Sequence, residues 1–300
     1  MNLINRIQRF FNKNAGGLWL ALFIEFCARL YTVPVIRGIA RNFWQTRKPK
    51  KWIFLVGCYN SGTTILREIL GAHPAISCLP KEGVRFTSHL PQPEDLGWTR
   101  MWFMCQEYMK IPLSHDARIA GEIVKDWAPW WDRKADFFLE KSITNVTRMD
   151  WLDRHFSPSI FIGITRNGYC VSEGIRRRAK PEKDIAALYP EGYSIDLAAE
   201  QWVLANKLLT ENIGKVENFM LVRYEDFIDR PVENLKKIWK AIGVEEIDVA
   251  IQNGYLRVGE RKFYLIDGNV NSFSRLRDED KQSIKSIIEK TQTELGYELL

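Results

Sequence analysis

The sequence predicts an α/β protein: a parallel β-sheet flanked by helices, preceded by an N-terminal helical extension. Three observations predict it. Apolar runs at 52–56, 160–165 and 219–222 are short, rich in Ile, Val and Phe, and bounded by turn residues, as strands buried on both faces are. Helical periodicity fills the stretches between and after them, which argues for crossover helices on a parallel sheet. The first run enters a glycine-bounded turn that opens a helix, the layout of an anion-binding loop at a strand's C-terminal end.

Residues 1–50 read as the extension and 51–300 as the α/β domain. Residues 1–51 carry ten lysines and arginines against one acid, Glu25, in a chain of net charge +6. The remainder is therefore net negative, and a nucleic-acid reading loses its main support. The basic segment also holds Leu3, Ile4, Ile7, Phe10 and Phe11, then the runs GLWLALFIEF and LYTVPVI. Three placements compete: a helix lying on an anionic membrane, a helix packed on the domain or a partner, and a span at 17–36. A span would contain Glu25 and Arg29, each costing about 2.5–3.5 kcal/mol at mid-helix, although pairing at i, i+4 softens this. The membrane surface is the favoured expectation, with basic residues each worth about 1 kcal/mol there. A secretory signal is disfavoured, since no small-residue cleavage site follows a clean apolar core.

The strand at 52–56 leads into Gly57-Cys58-Tyr59-Asn60-Ser61-Gly62 and then a helix over 62–71, with Ile65/Ile69 and Leu66/Leu70 at i, i+4. Ser61, Thr63 and Thr64 add hydroxyl donors to the helix N-terminus. Gly57 and Gly62 keep Walker A spacing, but Thr63 stands where the lysine for the β/γ-phosphates belongs, so NTP hydrolysis is a poor reading. Residues 85–136 are dense in aromatics (Phe86, Trp98, Trp102, Phe103, Tyr108, Trp127, Trp130 and Trp131) and predict a peripheral helical subdomain with an aromatic core, compatible with an acceptor wall or lid. Further helices are expected at 147–155, 169–178, 196–213, 231–242 and 278–295. The strand at 160–165 ends in Arg166, suited to pairing with a phosphate. Five scattered cysteines without C-x-x-C, and four histidines without ligand spacing, argue against a disulfide framework and a zinc site. They suggest a reducing, cytoplasmic compartment.

These segments resemble the sulfotransferases. Asn60-Ser61-Gly62-Thr63-Thr64-Ile65-Leu66, with His73-Pro74 after the helix, resembles the family's 5′-phosphosulfate loop, [KR]-S-G-T-T-x-[LM]. Arg166-Asn167-Gly168 resembles the start of its 3′-phosphate motif, in which a serine lies eight residues after the arginine. Here that position is Gly174, and Ser172 lies six after. Glu140-Lys141-Ser142 with Asn145 resembles the E-K-[ST]-P-x-N segment of bacterial and tyrosyl-protein-type members, with Ile143 replacing the proline. Leu221 to Asp226 resembles their V-x-Y-E-D strand end, whose tyrosine lies near the adenine. Asn271-Ser272-Phe273-Ser274-Arg275 resembles the loop that closes over the cofactor.

The resemblance implies a P-loop NTPase-like sulfotransferase fold over 52–300 and 3′-phosphoadenosine 5′-phosphosulfate (PAPS) as donor, leaving 3′-phosphoadenosine 5′-phosphate (PAP). It implies a hydroxyl acceptor (carbohydrate, lipid, small metabolite or tyrosine) and no metal. On it, Asn60, Ser61, Gly62, Thr63, Thr64, Arg166, Ser172, Gly174, Tyr224, Ser274 and Arg275 hold the donor. Glu82 is the expected base, with His89 and His115 as rivals. Lys141 is expected to supply the charge, and Asn60 a hydrogen bond, where the family has a lysine or arginine at position 60. Ser172, a backbone N–H, or Arg176 to Arg178 would replace the missing serine, although Arg177 and Arg178 read as a solvated helix face. Two other classes stay open: a P-loop small-molecule kinase, and a non-catalytic nucleotide- or membrane-binding descendant, to which Asn60 and Gly174 point. A Golgi-type membrane location also stays open, because the same fold is used there.

Overall fold

The computed structural model describes residues 22–23, 26–27, 29–31, 33–111 and 117–300. Helix α1 (Pro34–Phe43) precedes β1 (Lys51–Gly57), α2 (Thr63–Leu70) and β2 (Ile76–Cys78). Then come α3 (Ala117–Trp127), β3 (Phe137–Glu140), α4 (Met149–His155), β4 (Ser159–Thr165), α5 (Gly168–Arg178) and α6 (Ile195–Glu211). β5 (Phe219–Arg223), α7 (Tyr224–Asp229) and α8 (Pro231–Ile242) follow. A hairpin region β6 (Val249–Gln252), β7 (Tyr255–Val258) and β8 (Arg261–Tyr264) leads to α9 (Gly268–Phe273) and α10 (Asp278–Glu294).

The main sheet is wholly parallel, in the order β2-β3-β1-β4-β5. The expected strands are its β1, β4 and β5, and β1 is central. Its register sets Phe54 opposite both Glu140 and Phe161, and Gly57 opposite Ile164. Thr165 stands opposite Arg223. The strand ends Gly57, Glu140, Thr165 and Arg223 therefore share one edge; the last three are followed at once by Lys141, Arg166 and Tyr224, and Gly57 opens the loop that carries Asn60.

The two faces of β1 have separate cores, as a period of two dictates. Ile53 and Leu55 pack with Leu66, Ile69, Ile162 and Trp239. Trp52 and Phe54 face an aromatic layer with Phe138, Phe156 and Phe161. Trp127 and Trp131 belong to that same layer, at 6.2 and 6.0 Å from the Trp52 ring. The aromatic stretch at 85–136 is thus no subdomain with its own core: it covers the sheet, because β1 offers large rings to pack on. The antiparallel sheet β6-β7-β8 was not expected, nor were β2 and β3. Its first turn is Asn253-Gly254, both at positive φ (52° and 75°), a hairpin signal present in the sequence.

Helix α1 turns its arginines inward. Arg41 pairs with Glu122 and lies 3.5 Å from Asp126, and Arg37 lies 3.8 Å from Asp126. Val35 and Phe43 are 70% and 78% exposed, and Ile39 is exposed as well. Among the described residues no helix is long and apolar enough to cross a membrane. Residues 1–21 and Glu25 lie outside the described residues, so the span considered at 17–36 is described only in part.

Candidate active site

The loop after β1 is shaped by two left-handed residues, Asn60 (φ 63°) and Gly62 (φ 96°). A β-carbon on Gly62 would stand 2.6 Å from Tyr224 Cδ2, so glycine is required by both backbone and space. α2 starts at Thr63, and its first N–H groups have no partner within the helix. Two more donors, Asn60 Nδ2 and Ser61 Oγ, are buried without a hydrogen-bond partner. The loop thus presents unmet donors, as an anion site does.

Arg166 follows β4 and is fixed on three sides. Its Nη1 donates to the Asn60 carbonyl at 2.8 Å, its Nε donates to Asn269 Oδ1 at 2.8 Å, and its guanidinium lies 4.4 Å from the Tyr224 ring centroid. Tyr224 is held by donating to the Ile266 carbonyl and accepting from the Gly268 N–H. Asn269 is oriented in turn by donating to Glu225 Oε1 at 2.8 Å.

Glu82 and Lys141 come together through a zipped pair of segments. Gly83 N–H donates to Glu140 Oε1 at 2.7 Å, and Val84 N–H donates to Ser142 Oγ at 3.2 Å. This sets Glu82 beside Lys141, whose Nζ donates to Glu82 Oε1 at 2.6 Å. Lys141 is 8% exposed and Glu82 27%. Glu140 itself is fully buried and also accepts from Ser142 and Asn145. Burial pushes its carboxyl up to about 7 against the pull of those donors.

A cavity of about 470 Å³ is walled by Asn60, Gly62, Thr63, Thr64, Arg166 and Tyr224, with Ile228, Tyr264 and Leu265 among its apolar sides. A second, of about 530 Å³, is walled by Arg67, Lys81, Arg85, Glu94, Thr99 and Glu182 among others. Thr64, Glu82, Arg100 and Lys141 line both.

Residues 52–248 match the profile of the Sulfotransferase family, well over half of the chain. The chain belongs to the sulfotransferase family. Similar solved structures include the sulfotransferase domain from the curacin biosynthetic pathway, at 18% identity and TM-score 0.49, covering 83% of this chain and 98% of that one. The sulfotransferase domain from the Synechococcus PCC 7002 olefin synthase is similar at 21% identity and TM-score 0.45, with 68% and 78% covered. Mouse sulfotransferase SULT7A1 complexed with PAP is similar at 16% identity and TM-score 0.46, with 86% and 89% covered. No curated protein sequence matches the chain.

Several residues expected in this sulfotransferase's site stand elsewhere. Ser172 is fully buried and donates to the Gly168 carbonyl one turn back. Gly174 instead faces the loop: a β-carbon there would meet Asn60 Cγ at 3.0 Å. Two residues apart is about 200° around a helix, so only one of the pair can face Asn60. Ser274 and Arg275 are exposed beyond α9, Ser274 donating to Asn271 and Arg275 lying 4.0 Å from Glu173. The C-terminal stretch that lines the cavity is Tyr264 to Ile266, at the end of β8. His89 lines neither cavity, and its backbone N–H donates to Thr87. His115 lies outside the described residues.

Arg176 and Arg177 are structural, pairing with Asp280 and Glu173. Arg178 is exposed, as expected of a solvated helix face, yet its Nη1 donates to Asn60 Oδ1 at 3.0 Å and it lines the first cavity. Burial, then the neighbouring Arg177 and Arg100, pull its guanidinium below its ordinary value. Arg100, unforeseen from the sequence, donates to the same oxygen at 3.1 Å. Among the described residues, Arg100, Arg166 and Arg178 have amide and carbonyl oxygens, not carboxylates, as side-chain acceptors.

Proposed function

We propose that this sulfotransferase moves a sulfuryl group from PAPS to a hydroxyl acceptor. The observation that carries the reading is the Glu82–Lys141 pair lining two cavities at once, one of which also holds the loop of unmet donors with Arg166 and Arg178. The residues present fit the donor. The α2 N-terminus, Ser61, Thr63, Thr64 and Asn60 Nδ2 suit a 5′-phosphosulfate, and Arg166 with Arg178 suits a second phosphate. Tyr224, Ile228, Tyr264 and Leu265 give apolar walls suited to a base. PAPS supplies a sulfuryl group on a good leaving phosphate. Glu82 takes the acceptor proton as the acceptor oxygen bonds to sulfur and the bond from sulfur to the 5′-phosphate oxygen breaks. Lys141 steadies the developing charge.

The first test is thermal unfolding with and without PAP, no metal added. At 100 times Kd the ligand should stabilise by about 2.7 kcal/mol, and Arg166→Ala should abolish the shift. No shift overturns the reading. A shift with ATP and Mg²⁺ instead favours a kinase, and PAP binding without PAP release from PAPS favours a binding protein.

We propose as well that α1 rests on an anionic membrane. Support comes from Val35, Ile39 and Phe43 staying exposed in a segment with ten basic residues and one acid, of which Arg37 and Arg41 are already spent on Asp126 and Glu122. The full chain should sediment with phosphatidylserine-containing vesicles, and Val35→Ser/Ile39→Ser/Phe43→Ser should weaken this at least tenfold. Equal sedimentation of the two chains, or concentration-dependent self-association through this face, overturns it.

A further inference from the structure

Resting on the sulfotransferase reading, the geometry points to Arg100 as the cation that faces the sulfuryl group in transit, at the place where Asn60 brings none. Asn60 Oδ1 accepts from Arg100 Nη2 and Arg178 Nη1 at once. An amide oxygen can take both bonds, but it orients the two guanidiniums without neutralising either.

Arg100 is held for this position at considerable conformational cost. Its φ is 59°, uncommon for a residue with a side chain. The Glu94 carboxylate accepts its backbone N–H at 3.3 Å, and its carbonyl accepts from Gln201 Nε2 at 3.0 Å. The guanidinium lies 4.7 Å from the Tyr59 ring centroid, and its Nε is buried with no hydrogen-bond partner. A buried guanidinium N–H left unmet is costly, and an acceptor that reached it would recover that cost.

Position divides the three arginines. Arg166 and Arg178 line the donor cavity alone, whereas Arg100 lines both. Arg166 and Arg178 therefore hold the donor, and Arg100 stands where charge develops as sulfur changes partners. Lys141 already spends much of its field on Glu82 at 2.6 Å. Among the described residues the Arg100 guanidinium has no such carboxylate partner.

The test uses the full chain, measuring PAP release from PAPS with water and with p-nitrophenol as acceptors, and PAP affinity by calorimetry. Arg100→Gln should lower turnover about 10²–10³-fold while moving the PAP Kd less than threefold. Arg100→Lys should recover tenfold or more of that loss, and so should Asn60→Lys added to Arg100→Gln, since either returns a positive charge. Arg178→Gln should weaken PAP tenfold or more. Turnover of Arg100→Gln within threefold of the natural chain overturns the assignment, as does a loss of PAP affinity in step with the rate. A folded Arg100→Gln chain that neither lysine rescues makes Arg100 structural and overturns it too. A natural chain that binds no PAP fails the sulfotransferase reading itself, before any variant is made.

Discussion

The contact between α5 and the loop predicts a substitution whose sign reverses with its background. Gly174 lies inside a helix, where alanine is favoured over glycine by about 1 kcal/mol. A β-carbon there would lie 3.0 Å from Asn60 Cγ and 3.1 Å from both Cβ and Nδ2. Asn60 cannot yield easily, because its Oδ1 holds Arg100 and Arg178 and its carbonyl holds Arg166. Hydrogen bonds to charged donors are each worth about 1.5–3 kcal/mol, and overpacking by a methyl costs about 1–3. Gly174→Ala should thus destabilise the natural chain by about 0–2 kcal/mol. Asn60→Gly keeps the left-handed turn and removes the obstacle, and in that background Gly174→Ala should stabilise by about 1 kcal/mol. Urea unfolding of the four chains closes the cycle, with a coupling of about 1–3 kcal/mol expected. Independent sites add to within about 0.5 kcal/mol. A coupling below that, or stabilisation by about 1 kcal/mol in both backgrounds, refutes the claim that Asn60 occupies the space beside Gly174.

Three further predictions follow from the same geometry. Gly62→Ala forces a side chain into the left-handed region and against Tyr224, so it should cost about 2–4 kcal/mol in chemical unfolding and weaken PAP by tenfold or more. Glu140 holds its proton up to about 7 in the folded chain against an ordinary 4.5, because it is buried. The folded state then binds more protons between those values, so this group's contribution should fall as pH rises from about 4.5 to 7, and Glu140→Gln should flatten the profile of unfolding midpoint against pH. Asp126→Ala removes the carboxylate to which Thr87 donates and near which Arg37 and Arg41 sit. It should cost about 1–3 kcal/mol in urea unfolding, the part-exposed arginines being able to return to water.

What the sequence revealed was whatever it encodes locally. β1 and β4 announce themselves because strands of seven residues buried on both faces need continuous apolar runs. β5 carries such a run too, Phe219 to Val222, although as the edge strand it is only partly buried, against the expectation of burial on both faces. β2 has only three residues, and β3 ends in the buried carboxylate of Glu140, which breaks such a run. Asn253-Gly254 carried a hairpin signal, but strands of four residues around it are too short to show a period. Within the site, the loop and Arg166 were legible because each motif sits on one strand–turn–helix unit. Glu82 and Lys141 were legible only by resemblance, since 59 residues separate them. Arg100 and Arg178 reach Asn60 across 40 and 118 residues, a convergence that no spacing rule contains.

Asn60 and Gly174 look like two separate losses when charge and hydroxyl are counted by position along the chain. In space they are one feature. The short side chain at 60 lies against the bare backbone at 174, and its oxygen gathers two cations from α5 and from the loop before Met101. The consequence reaches into the second cavity. The residue that fixes the Arg100 backbone, Glu94, also walls that cavity, as does Thr99. On the proposed assignment of the two cavities, a cation delivered this way would be set by the surroundings of the acceptor as well as by those of the donor. An acceptor that fills the second cavity poorly would leave Arg100 less well placed, and the loss would fall on turnover more than on binding.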